Sequence, residues 1–227
     1  MGFWSSVGSF CSSVVSSVSS GLSAAASWAG DKLSNVIHAG LRMGSGFMSG
    51  LGNVASGLGR AFGFLKENDP PVEEIGDRAI QMHEQGIFPE KFDDFQAYME
   101  EIRSFDIDPE KSKDSTTDQK IFKGLEVAGR GLEDKFNAPT GSMANVWVLA
   151  GANPDYFTSD RLQSLLNAGV DIPSVVDYFE GKMGAAESLD IEDELVNLDQ
   201  KTNPGKEENT SRQELYAAVE TAKNILN

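Results

Sequence analysis

The first 66 residues are almost free of charge and crowded with glycine and serine, yet striped with bulky apolar residues at helical intervals. No other feature constrains the chain as much. The larger apolar positions of the opening stretch are Phe3, Val7, Phe10, Val14, Val18 and Leu22. Steps of three and four residues draw one stripe along a helix, and Ser5, Ser12, Ser16 and Ser19 fall largely elsewhere around the cylinder. Gly30-Asp31 marks a break. The period then resumes with Leu33, Val36, Ile37, Leu41, Phe47, Met48, Leu51, Val54, Leu58, Phe62 and Leu65. One continuous helix over 33–65 would be about 50 Å long, so the two arms read as a helical hairpin.

The second arm carries Gly40, Gly44, Gly46, Gly50, Gly52, Gly57, Gly59 and Gly63. Each glycine costs about 1 kcal/mol relative to alanine in a helix interior. Such a run stays helical only where close contact returns that energy; otherwise it is a flexible tether. Gly40/Gly44, Gly46/Gly50 and Ala55/Gly59/Gly63 are small residues four apart, a spacing that lets helix backbones approach tightly. The apolar period favours the packed helix over the tether. Phe47, Leu51, Leu58 and Phe62 would form the bulky face beside that small-residue face.

Charge separates this segment from the rest. Residues 1–66 hold one acid, Asp31, and four bases, Lys32, Arg42, Arg60 and Lys66, a formal +3 against −16 for the whole chain, which leaves −19 for residues 67–227. Phosphate backbones are bound by clustered Lys and Arg, and no basic stripe exists here, so nucleic acid is not an expected partner. The single cysteine, Cys11, excludes an intrachain disulfide framework. No charge precedes Asp31, unlike the basic start of a secretory signal. Gly2 followed by Ser6 fits the myristoylation pattern, which is short and common by chance.

Pro70-Pro71 closes the segment, and an acidic all-α body follows. Helices are expected over 72–86, from 88 to Phe105, over 119–136, over 142–151, over 161–168 with Thr158-Ser159-Asp160 as cap and Gly169 as stop, and over 175–183. Residues 106–118 read as a polar loop. The expected division is a small-residue helical segment over 1–66, an acidic domain over 67–185, a flexible acidic linker over 186–210 and a final helix over 211–227. Ser211 and Glu214 supply a capping-box pattern for that helix.

Catalytic patterns are sparse. His38 and His83 are the two histidines, with no partner at zinc-ligand spacing. The G-x-G runs lack the strand that a dinucleotide site requires. The carboxylates Asp93, Asp94, Glu100, Glu101, Asp106, Asp108 and Glu110 read as a solvated helix face. The stretch 106–117 lacks the central glycine of a calcium loop and has Thr117 where its last glutamate belongs. The expectation is a non-enzymatic protein with no cofactor and no metal.

Seventeen uncharged residues separate Arg42 from Arg60, about 25 Å of helix, with arginines placed to reach both membrane interfaces. Trp4 and Trp28 are further interfacial anchors. By architecture and composition over residues 1–66, the chain resembles pore-forming bacterial toxins such as channel colicins, and the small ejection proteins of tailed phages. No family motif accompanies that resemblance, so no residue role is carried over. It implies a membrane-active protein, soluble or carried before delivery by a secretion system or virion, whose N-terminal helices oligomerise through their small-residue faces into a pore or conduit. The competing expectation is a structural assembly protein of a virion or secretion complex whose N-terminal helices pack against protein alone. A third, a hydrolytic effector acting through the acidic body, has the least support. Membrane lipid, sister subunits and a carrier or assembly protein are the partners these readings name.

Overall fold

The computed structural model describes residues 20–44 and 46–226. Trp4, the Gly2/Ser6 pattern, Cys11 and the stripe from Phe3 to Val18 therefore lie outside the described residues. Among the described residues the protein is all-helical: α1 (Ser20–Met43), α2 (Phe47–Ala61), α3 (Val72–Glu84), a 3-10 turn (Pro89–Lys91), α4 (Phe95–Ser104), α5 (Pro109–Ser112), α6 (Thr117–Phe136), α7 (Ala144–Ala152), α8 (Ser159–Ala168), α9 (Ile172–Phe179), α10 (Ala185–Thr202) and α11 (Glu208–Leu226).

Local chemistry explains most boundaries. Thr116 caps α6, its hydroxyl accepting the Gln119 N–H at 3.3 Å while Gln119 Oε1 accepts the Thr116 N–H at 2.8 Å, a reciprocal capping box. The helix ends at Asn137 in the left-handed conformation, φ 48°. Thr158 caps α8 and Gly169 stops it at φ 72°, as its cap and stop signals predict.

One apolar-pattern expectation needs correction. The helix expected over 33–65 is two helices. Met43 ends α1, Phe47 begins α2, and the turn folds the Phe47 ring onto Gly40, where a Cβ would stand 2.2 Å from it. The break also interrupts the uncharged run between Arg42 and Arg60, so no single helix joins the two arginines. The break expected at Gly30-Asp31 is present as a kink inside α1, with non-helical φ 66° and ψ 176° at the glycine. Among the described residues no helix is long and apolar enough to cross a membrane.

A second correction concerns the flexible linker expected over 186–210. Most of it is α10, with Ile191, Leu195 and Val196 buried along one face. High acidity masked that stripe in the sequence. Arg212 balances part of the charge, its guanidinium bonding Glu192, Asp193 and Glu208. The last helix begins at Glu208, so Ser211 lies inside it and is buried rather than capping it.

A single apolar core runs from Trp28 to Ile225, and both N-terminal helices feed it. Leu33, Val36, Ile37, Met48, Leu51, Ala55 and Leu58 are each at most 2 % exposed. α1 packs against α7, α3 and α6, and α2 against α6 and α8. The most extensive helix pair is α3 with α6, and its closeness depends on two facing glycines. A Cβ at Gly76 would stand 1.8 Å from the Lys120 carbonyl oxygen, and one at Gly124 would stand 2.2 Å from that of Val72.

The turn after α2 is tied down. Arg103 grips Asp69 with two bonds of 2.8 Å, Nε to Oδ1 and Nη2 to Oδ2, and also donates to the Phe64 carbonyl at 3.0 Å. This fork holds the Asp69 carboxyl below its ordinary pKa, against a smaller opposing effect of burial.

Candidate functional site

The residues singled out for helix packing or membrane contact divide into two sets. Gly40 lies under the Phe47 ring; at Gly57 a Cβ would meet Ser159 at 2.8 Å, and at Gly59 it would meet Leu65 at 2.4 Å. Gly63, at φ 83°, turns the chain so that the Leu65 N–H reaches the Gly59 carbonyl at 2.9 Å. Leu51, Ala55 and Leu58 are buried, with Phe47 and Phe62 half-buried against the same core. Around Gly44, Gly46 and Gly50 a Cβ would meet nothing within 4 Å. The small-residue face is thus split: its inner positions pack within this chain, and its open positions cluster at the turn between α1 and α2 and the first turn of α2. Arg42 and Arg60 are exposed.

Trp28, expected as an interfacial anchor, is instead 6 % exposed. Its ring lies over Gly129 of α6, where a Cβ would stand 2.1 Å from it, and its indole N–H donates to Glu133 Oε1 at 3.0 Å. The backbone N–H groups of Gly141 and Met143 donate to the same oxygen at 2.6 and 3.4 Å. Glu133 Oε2 is buried without a hydrogen-bond partner. Burial raises the Glu133 pKa, and the Trp28 and backbone donors offset part of that rise.

Sequence reasoning missed the charged groups inside the body. Lys123 is fully buried on α6 and ion-paired with Glu126 one turn on. Its Nζ lies 3.1 Å from His83 Nδ1, and His83 Nε2 lies 3.2 Å from the Tyr98 hydroxyl. An ammonium can only donate, so Nδ1 accepts and Nε2–H faces the tyrosine oxygen. Burial and the neighbouring Lys123 charge push the His83 pKa down to about 3. Burial also lowers that of Lys123, against the pull of Glu126, and raises that of Tyr98. Arg130 and Glu90 carry the chain of charges to the surface, 3.3 Å apart. Deep burial leaves no route for a substrate to Lys123, so the arrangement joins α3, α4 and α6 rather than presenting a reactive amine.

A second cluster sets Ser112 Oγ 2.5 Å from Asp77 Oδ2, with Lys120 Nζ 2.7 Å from that hydroxyl and 2.9 Å from the same carboxylate oxygen. A serine beside a lysine can be a nucleophile and its base. Here the Ser112 hydroxyl and the Lys120 ammonium are both engaged by the Asp77 carboxylate. The cluster therefore braces the 106–116 loop against α3 and α6. A third joins α8, α10 and the loop after α10, with Asp199 receiving Arg161 at 2.9 Å and Lys206 at 2.8 Å while Arg161 stacks 4.0 Å from the Tyr156 ring centre. It borders a cleft of about 440 Å³, and its charges are mutually satisfied.

No three His, Cys, Asp or Glu side chains converge in a metal-holding group among the described residues. No protein-family model, curated protein or solved structure matches the chain.

Proposed function

We propose that this chain is a non-enzymatic assembly protein of a virion or secretion complex: an acidic helical body that attaches to its partners through the uncharged stripe of residues 3–22. The observation that carries this reading is where the inner glycines of α1 and α2 pack. Gly40, Gly57 and Gly59 repay their helix cost through contacts within this chain, which supports protein packing rather than lipid as the medium for these helices.

The pore reading requires more. To place α1 and α2 in a bilayer, six large apolar side chains (Leu33, Val36, Ile37, Met48, Leu51 and Leu58) must leave the core. Each such side chain contributes about 1.5–3 kcal/mol. Lipid would solvate the departing helices, but the facing surfaces of α3, α6 and α7 would be left in water.

Size measurement in detergent-free buffer and limited proteolysis, on the full chain and on Val14→Asp/Val18→Asp, test the proposal. A defined oligomer or partner complex with residues 1–66 protected, reduced to no more than a dimer in the charged variant, is the expected result. A monomer with a freely cleaved N-terminus overturns it. So does permeabilisation of protein-free liposomes by the native chain at micromolar concentration, which would establish the membrane-active alternative.

A further inference from the structure

The strongest unexplained arrangement is the kink in α1 and the slot that receives the residues before it. Gly30 sits at φ 66° and ψ 176°, a backbone region open essentially only to glycine. A Cβ there would meet no atom within 4 Å, so the geometry comes from the chain's course rather than from crowding. The arm before the kink, Ser20 to Ala29, is helical and about 15 Å long. Its described anchor is Trp28, with the ring over Gly129, the N–H on Glu133 and the backbone carbonyl beside Gly141. The slot is shaped to that one side chain: a missing Cβ in its floor and a buried carboxylate at its end.

We propose that this arm exchanges between two copies of the chain, with Trp28 of each copy occupying the Gly129/Glu133 slot of the other. An exchanged arm makes the same contacts it makes within one chain, so the hinge decides between closed monomer and exchanged dimer. In the closed form Gly30 holds its glycine-only conformation. In the open form it relaxes to helical angles, and α1 becomes one unbroken helix from Ser20 to Met43. The exchange is reciprocal and therefore closes as a two-fold dimer rather than growing into a filament. This inference rests on the assembly reading for its biological use, and names a second copy of this chain as one partner.

Gly30→Ala is the direct test, because alanine disfavours the closed hinge and favours the straight helix. Strain of this kind corresponds to on the order of 10-fold per hinge, hence about 100-fold tighter dimerisation with two hinges. Sedimentation velocity of full-length Gly30→Ala against the native chain should show that shift. A Gly30→Ala chain that remains monomeric at the highest soluble concentration overturns the proposal. Mixing gives an independent reading: Trp28→Ala has an empty slot, and Gly129→Val has a filled one. Each alone should lack the exchanged dimer. Together, after brief warming and cooling, they should form a one-to-one heterodimer with a blue-shifted tryptophan emission. Folded variants that stay separate count against the proposal. Val14→Asp/Val18→Asp separates the two ideas, since arm exchange should survive it while attachment through the stripe should not.

Discussion

Gly124→Ala should destabilise this protein although alanine is the better helix former. The position lies inside α6, where the exchange alone would contribute about 1 kcal/mol of stability. A Cβ there would stand 2.2 Å from the Val72 carbonyl oxygen and 2.5 Å from Val72 Cγ1. The first is backbone, which cannot swing aside, so α3 and α6 must separate by about 1 Å to restore ordinary contact. That separation loosens Ile75, Ala79, Leu125 and Ala128, all buried in the same core. Overpacking against fixed atoms costs about 3 kcal/mol, leaving a net loss of about 2 kcal/mol. In a chain of this size the melting temperature should fall by roughly 4–8 °C. Gly50→Ala is the internal control: it is helical, and its Cβ would meet nothing within 4 Å, so a gain of about 0.5–1 kcal/mol is expected. Urea unfolding followed by circular dichroism measures both variants. Equal effects of the two, or Gly124→Ala as stable as the native chain, would refute the claim that backbone contact at the α3–α6 crossing repays its glycines.

The ionic predictions are of a different kind. Asp69 has its pKa lowered by Arg103, so its contribution is present above the ordinary carboxylate pKa and is lost as pH falls through the folded value. Asp69→Asn should therefore cost on the order of 1–2 kcal/mol at pH 7 and progressively less in acid, as read by urea midpoints across pH. His83 has a folded pKa of about 3, below its unfolded value. It should lower stability as pH falls below about 6.5, by up to about 1.4 kcal/mol per pH unit; its ring resonances should not titrate between pH 8 and 5, and a midpoint near 6 would contradict its buried pairing. Lys123→Met strands Glu126 in the interior and should cost about 3–5 kcal/mol, whereas Lys123→Met/Glu126→Leu should recover most of that loss in the same unfolding assay.

Much of the helical architecture was legible along the chain. The cap at Thr158, the stop at Gly169 and the apolar run before Ala152 all mark helices that form. The errors share a cause. Over 186–210 the acidic composition outweighed a three-residue apolar face, and only packing against α11 shows that Ile191, Leu195 and Val196 suffice to order it. Over 33–65 the periodicity stayed in phase across Gly44–Gly46, because a tight turn between two helices can preserve a repeat that one helix would also produce. The candidate packing residues were legible as a set, but their partners were not.

What the amino-acid order determined alone is local: helical periodicity, caps and stops, and the division between a nearly uncharged opening and an acidic remainder. These depend on residues a few positions apart, and such information is written directly in the chain. Tertiary structure decided which glycines are used and for what. Gly76 and Gly124 are ordinary helix-weakening residues until two backbones cross at them, and Lys123 is a surface residue by composition until α3 and α4 close over it with His83 and Tyr98. Trp28 was equally suited to a lipid interface or a protein slot. The choice fell to Glu133, 105 residues away, because a hydrogen bond between distant segments leaves no periodic trace in either one.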